Sequence, residues 1–307
     1  MQRINVFAGP YLDRSAHLRQ DAGWIENALA DPKSRAIPVW NSRNLVEGDK
    51  SARAAFIELR DIPTESRNGE ALILLGHVGD AHFFAYEIES DTAPVITADA
   101  RFEDLRWIAS RLPQEEAGLL AYAGAMITWR RRHRFCGHCG SKTRSAKGGH
   151  LLICGNPSCG IEHFPRLDPA IIVLVSDGDR ALLGRQATWP TGRYSTIAGF
   201  VEPGESLEDA VAREVAEETG VDVGQIQYFS SQPWPFPSSL MLGFTAQALT
   251  RDIFLNDQEL EHARWFSRAD LAAGALRLPP SPSISYRLIE YWYDAGECGK
   301  LADLWTD

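Results

Sequence analysis

Gly199–Val221 reads GFVEPGESLEDAVAREVAEETGV. The stretch predicts a loop, a helix and a stop. Gly204 and Glu205 fall in a turn. Ser206 suits the N-cap of a helix that begins near Leu207. Asp209 lies in its first turn, where a carboxylate complements the helix dipole. Leu207, Ala210, Val211, Val215 and Ala216 supply an apolar stripe. Gly220 is placed to end the helix in the left-handed conformation.

The opposite face carries Glu214, Glu217 and Glu218 at i, i+3 and i+4, so three carboxylates crowd about one turn. Like charges that close raise one another's pKa unless a counter-charge is present. A hard divalent cation, Mg²⁺ or Mn²⁺, would relieve them, because it takes carboxylate and water oxygens and bridges to phosphate. A solvated acidic face is the ordinary meaning of three glutamates alone. The whole spacing runs Gly199, Glu205, Arg213-Glu214, Glu217-Glu218, Gly220. It resembles the complete signature of the Nudix hydrolases. That resemblance implies metal-dependent hydrolysis of a nucleoside diphosphate joined to another moiety.

Composition sets the outer bounds. The chain has 307 residues, enough for two domains and a small module. Its formal charge of −10 argues against a general nucleic-acid binder. No apolar run approaches the roughly 18 residues of a membrane span. Met1–Ala16 shows no signal-peptide core, so an intracellular, cytoplasmic protein is expected.

Upstream of the motif, Pro169–Ser176 (PAIIVLVS) reads as a buried strand and Arg180–Gly184 as its partner across an Asp177-Gly178 hairpin. Thr196–Phe200 leads into the helix. Gln227–Ser231, Leu240–Leu249 and His262–Ser267 supply further strands, and Ser281–Tyr293 a terminal helix. This mixture predicts a mixed sheet between helices.

Before it stand Cys136-x2-Cys139 and Cys154-x4-Cys159. Two short-spaced pairs fit a tetrahedral Zn²⁺ site with no open position, hence a structural one. His138, His150 and His163 are conceivable substitute ligands. Cys298 stands apart as a simple thiol.

The first 125 or so residues carry strand-like runs at Arg35–Trp40, Ala71–His77 and His82–Ile88, with Asn41-Ser42 and Gly79-Asp80 as turns. Phe102–Arg111 and Glu115–Arg132 read as helices. The second ends in a basic run through Arg134, either a solvated face or a phosphate or RNA contact. No nucleophile or metal-ligand constellation appears there. A packing or dimerisation domain is expected.

Ser231–Ser239, SQPWPFPSS, is the second informative stretch. Three prolines in five residues suit neither a central strand nor a helix. They stiffen a segment that fixes Trp234 and Phe236, either for stacking on a base or nicotinamide or for filling a core. The stretch resembles the signature of the NADH pyrophosphatases, a Nudix subfamily, and the cysteine ribbon and preceding domain resemble that subfamily too.

The resemblance implies several things. The fold is α+β: an N-terminal mixed β-rich domain (1–130), a four-cysteine zinc ribbon (131–165) and a C-terminal Nudix α/β/α sandwich with a mixed sheet (166–307). The activity is hydrolysis of NADH, and of NAD⁺ less well, to nicotinamide mononucleotide and AMP, with removal of NAD caps from RNA. The protein would be a homodimer. Catalytic metal ions would be held by Glu214, Glu217, Glu218 and a later glutamate, Glu259, whose near neighbour Glu261 competes for the role. Glu218 is the favoured base, and Arg213 with Glu205 orients the glutamates. Contacts to the dinucleotide would fall on Phe164, Phe200, Gln232, Trp234, Ser239, Met241 and Ser285. Two rivals remain: a Nudix diphosphatase for ADP-ribose or another nucleoside diphosphate derivative, and a non-catalytic nucleotide or RNA sensor.

Overall fold

A computed structural model describes residues 5–9, 12–255 and 259–304. The chain divides into two compact units. One spans Val6–Leu167 with Trp234–Ser238; the other spans Asp168–Pro233 and Ser239–Asp307 with the first five residues.

The first unit opens with α1 (Ala22–Ala30), capped by the Asp21 carboxylate at the Trp24 N–H. Its sheet holds β1 (Arg35–Trp40), β2 (Arg43–Glu47), β3 (Arg53–Ala54), β4 (Ile57–Glu58), β5 (Leu72–Val78), β6 (Ala81–Ile88) and β7 (Ala100–Glu103). The main order is β3-β2-β1-β6-β5, with β4 on β1 and β7 on β2. The expected turns are both present: β1 and β2 pair across Asn41-Ser42, and β5 and β6 across Gly79-Asp80. Side chains alternate across the sheet. Ile37, Val39, Val46, Ile73 and Leu75 join one core; Ala36, Leu45, Leu72, Leu74 and Phe84 join another.

After β7 come α2 (Leu105–Ile108) and α3 (Gln114–Arg132). The helix expected over Phe102–Arg111 is shorter. Phe102 lies in β7, paired with Leu45, and the helix starts only behind its Asp104 cap. Pairing with a formed sheet overrides the local helical pattern. Part of the basic run at the end of α3 is engaged locally: Arg130 donates to the Ala71 carbonyl at 2.7 Å, and Arg134 pairs with Glu89.

The ribbon sheet is β8 (Thr143–Ala146), β9 (Leu151–Cys154) and β10 (Glu162–His163), in the order β10-β9-β8.

The second unit contains β11 (Asp168–Asp177), β12 (Arg180–Arg185), β13 (Ile197–Phe200), α4 (Leu207–Thr219), β14 (Val223–Trp234), β15 (Ser239–Ala248), β16 (His262–Ser267), α5 (Arg268–Ala272), α6 (Ile284–Asp294) and α7 (Leu301–Leu304). The sheet order is β14-β15-β11-β12-β16, with β13 on β11. β15 runs parallel to β11, and β12 and β13 run antiparallel to it, so the sheet is mixed. The unbroken apolar run of β11 is explained by burial on both faces. Ile171, Val173 and Val175 pack with Ala210, Val211 and Val215 of α4; Ile172 and Leu174 pack with Leu288, Ile289 and Tyr293 of α6. This is the expected sandwich.

The prolines lie where the sequence allows them, outside any helix or central strand. β14 continues through Pro233 to Trp234. It is the edge strand, where a missing N–H leaves no ladder bond broken. Among the described residues no helix is long and apolar enough to cross a membrane.

Candidate active site

The loop and helix of the carboxylate motif form as their local chemistry dictates. Ser206 and Asp209 make a capping box: the Ser206 hydroxyl accepts from the Asp209 N–H at 3.1 Å, and the Asp209 carboxylate accepts from the Ser206 N–H at 3.2 Å. Gly220 ends α4 at φ 70°, and its N–H closes on the Ala216 carbonyl at 2.8 Å.

Arg213 organises the acidic face. Its Nε and Nη2 donate to the two oxygens of Glu205 at 2.5 and 2.9 Å. Nη2 also reaches the Phe200 carbonyl at 2.9 Å, while Nη1 donates to Glu214 at 3.0 Å and to Glu217 at 2.9 Å. The planar fork thus joins the end of β13, the loop and the helix, which a lysine ammonium could not do. The expected Arg213–Glu205 partnership is present. Arg213 holds the Glu205 carboxyl down at about 2, helped by the Glu202 N–H, and Glu205 in turn raises the Arg213 guanidinium above its ordinary value.

Glu214 and Glu218 are buried, at 9% and 5% exposure, whereas Glu217 is exposed. Burial pushes the Glu214 carboxyl up. Arg213 opposes that, and the charges of Glu217 and Glu259 add to it. Glu259 therefore acts electrostatically on the same carboxylate group. Glu261, its rival in sequence, is occupied elsewhere: it pairs with Arg185, and its N–H donates to the Arg185 carbonyl at 2.9 Å.

Gly199 explains its place in the motif. A Cβ at that position would fall 1.9–2.2 Å from the Glu214 carboxylate. The carboxylate lies directly against the backbone of β13, where only glycine leaves room. A buried carboxylate with two acidic neighbours is a hard-oxygen donor set that fits a divalent cation. Among the described residues, the only set of three or more His, Cys or acidic side chains whose ligand atoms gather within 4.8 Å is the four cysteines. The glutamates stand more openly, as suits a cation that keeps water and substrate oxygens.

At the ribbon, Cys136, Cys139, Cys154 and Cys159 converge as expected, with sulfur separations of 3.9 Å (Cys136–Cys159) and 3.3 Å (Cys139–Cys154). Hydrogen bonds from Ser141 hold the Cys139 thiol down at about 6, while burial pushes Cys154 up to about 12. His138, His150 and His163 are not in the cluster; His150 instead bonds the Leu74 carbonyl through Nε2 at 2.6 Å.

The residues expected to hold a dinucleotide divide by exposure. Phe164 and Phe200 present rings at 60% and 59% exposure. Ser239 lies opposite Asp168 at the start of β15, and Met241 is half-buried against the α6 core. Trp234 and Phe236 pack on each other and on Phe7, with ring centroids 5.2–5.9 Å apart. Gln232 and Ser285 serve the fold. Gln232 is fully buried; its amide donates to the Pro282 carbonyl and accepts from the Ile284 N–H, both at 2.8 Å, which fixes the start of α6. Ser285 ties α6 to Ser195 and Thr196 at 2.8 Å each. Gly184 is a position that the motifs do not single out: a Cβ there would sit 2.7 Å from Leu260, the neighbour of Glu259. A glycine inside a strand is its one signal.

Residues 166–288 match the NUDIX domain, residues 131–164 the NADH pyrophosphatase zinc ribbon domain, and residues 33–129 the NADH pyrophosphatase-like rudimentary NUDIX domain. The NAD-capped RNA hydrolase NudC of Stutzerimonas stutzeri is 43% identical over 237 residues, covering 77% of this chain and 81% of that one. The chain belongs to the NADH pyrophosphatase branch of the Nudix hydrolases. A NudC from Mycobacterium bovis is 40% identical over 302 residues, covering 91% and 92% of the two chains. The NAD-capped RNA hydrolase NUDT12 of Homo sapiens is 43% identical over 197 residues, and the match spans 43% of its length. In this Nudix enzyme the ribbon is a structural zinc site, and the complete carboxylate motif distinguishes it from a sensor that has lost its glutamates.

Proposed function

We propose that this Nudix enzyme hydrolyses the pyrophosphate of NADH and NAD⁺ to nicotinamide mononucleotide and AMP, and removes NAD caps from RNA 5′ ends. The observation that carries the reading is the Arg213 bracket, which holds Glu205, Glu214 and Glu217 together beside the buried Glu218. The SQPWPFPSS segment and the relatives named above support the substrate.

Glu214, Glu217, Glu218 and Glu259 would hold Mg²⁺ or Mn²⁺. Bound there, such ions neutralise phosphate charge and lower the pKa of water. Glu218, buried beside the Arg213 bracket, is assigned the role of the base that takes the proton of the attacking water. Arg213 keeps Glu214 and Glu217 oriented and Glu205 ionised. Phe164 and Phe200 offer exposed faces for stacking, with Trp234, Ser239 and Met241 as further contacts; Gln232 and Ser285 support these from within the fold. The working unit is a homodimer of three-module chains (1–130, 131–165, 166–307). Four cysteines committed to a metal suit a reducing, cytoplasmic setting.

The packing of Trp234 and Phe236 on Phe7 favours one alternative. If those rings only fill a core, the enzyme is a Nudix diphosphatase for ADP-ribose or another nucleoside diphosphate derivative. Product analysis with NADH, ADP-ribose and NAD-capped RNA, each with Mg²⁺ and with Mn²⁺, separates the two. Nicotinamide mononucleotide and AMP released from NADH well ahead of ADP-ribose turnover support the first; equal or reversed preference supports the second.

A further inference from the structure

The N-terminal unit has a cleft of its own, of about 380 Å³, whose arginines the catalytic reading does not use. Three elements far apart in sequence line it with arginine: Arg43 after the β1–β2 turn, Arg106 in α2, and Arg131 and Arg132 at the end of α3. The only acidic lining residue is Asp104, and Arg106 already engages both its oxygens. Arg131 is tied to the Ser42 hydroxyl at 3.0 Å and lies 3.7 Å from Glu87. Arg43 and Arg132 form no ion pair among the described residues. In a chain of net charge −10, four guanidiniums around one neutralised carboxylate reverse the local sign.

The hollow itself is built. Ala121, Gly124 and Thr128 share one face of α3 and keep that wall low. A Cβ on Gly124 would meet nothing within 4 Å. Glycine is costly inside a helix, so the open space at this position is a feature that needs a reason. Pro235, Phe236 and Pro237 form an apolar, aromatic wall. A cleft of this size suits a small molecule. Guanidinium forks match phosphate oxygens, and an aromatic wall accepts a base.

We infer that this cleft binds a nucleoside monophosphate, with the phosphate on Arg43 and Arg132 and the base against the Pro235–Phe236–Pro237 wall. The matched family model describes this part of the chain as a rudimentary NUDIX domain. In the catalytic domain, glutamates face phosphate through a cation. Here arginines meet phosphate directly and need none. The inference does not depend on which diphosphate the catalytic domain cleaves.

The test is calorimetric titration of AMP and of inorganic phosphate into the full-length protein in buffer without Mg²⁺ or Mn²⁺, so that hydrolysis is off. Wild-type protein binds AMP, and phosphate more weakly. The Arg43→Gln/Arg132→Gln double variant loses about tenfold or more in affinity for both. Gly124→Leu fills the hollow with a good helix former; it loses AMP binding with an unchanged thermal midpoint. Both variants keep the wild-type KM for NADH. AMP affinity unchanged in both variants places AMP elsewhere and overturns the assignment. Absence of AMP binding in the wild type overturns it as well. Binding of an RNA oligonucleotide but of neither AMP nor phosphate assigns the arginines to nucleic acid instead.

Discussion

Gly199 and Glu214 occupy one space between them. A methyl group on Gly199 would overlap the Glu214 carboxylate, the loose end of a flexible side chain. Gly199→Ala should therefore leave the fold standing and push the carboxylate aside. A misplacement of about 1 Å can cost about 100-fold in rate. Turnover should fall by that order, with a raised Mg²⁺ requirement and a thermal midpoint near wild type. Normal kinetics would show that Glu214 is not needed in its present place. Glu218→Gln keeps shape and removes charge, so turnover should fall by roughly two or more orders of magnitude. Near-normal turnover in saturating Mg²⁺ or Mn²⁺ moves the proton-accepting role to Glu217 or Glu214. The roles of Ser206, Asp209 and Gly220 are legible in sequence because capping is decided within three or four residues. The reason for Gly199 is not, because the group it makes room for lies fifteen positions along and across a sheet-to-helix contact. The bonds that Gln232 and Ser285 make within the fold are not legible either, because their partners lie far away in sequence, where no local pattern reveals them.

Among elements, the ribbon is readable because ligand spacing is itself geometry. Cys136→Ser and Cys159→Ser should each lower folding stability or soluble yield without altering substrate preference, and wild-type protein should carry about one zinc per chain. Metal analysis finding none would reject the site. The neighbouring His150 adds a pH effect. Burial lowers its pKa from 6.5 to about 4. The folded state then binds fewer protons than the unfolded state between those values. Stability is complete above about pH 6.5 and is lost as pH falls toward 4, by up to about 3 kcal/mol. Urea unfolding at pH 7 and pH 5 should show a smaller difference for His150→Gln than for wild type; an equal difference would remove His150 from the acid response. Strands bounded by turns, such as β1, β6 and β16, are legible to within one residue. Phe102 is not, since an amphipathic window of that length fits a helix until Leu45 is available to pair with it.

For the whole molecule, the decisive segment is Trp234–Ser238. It belongs to the N-terminal compact unit although the strands on either side of it, β14 and β15, run in the catalytic one. Resemblance places it beside the substrate, but nothing in the local pattern marks Phe7 as the partner of both rings. Phe7 is 3% exposed and meets Trp234 at 5.9 Å and Phe236 at 5.8 Å. Phe7→Ala should thus cost about 3 kcal/mol or more in stability, the scale of a buried phenylalanine truncation. It also leaves the two rings free to shift, while the glutamates of α4 keep all their partners. If the rings help hold the dinucleotide, the folded variant should show a raised KM for NADH, an unchanged Mg²⁺ dependence and little change with ADP-ribose. Trp234→Ala should reproduce that pattern more strongly, because stacking of a base on an aromatic ring contributes about 1–3 kcal/mol. If both variants are stable at the assay temperature and affect NADH and ADP-ribose alike, the prolines and aromatics are a core device, and the substrate is decided by Phe164 and Phe200.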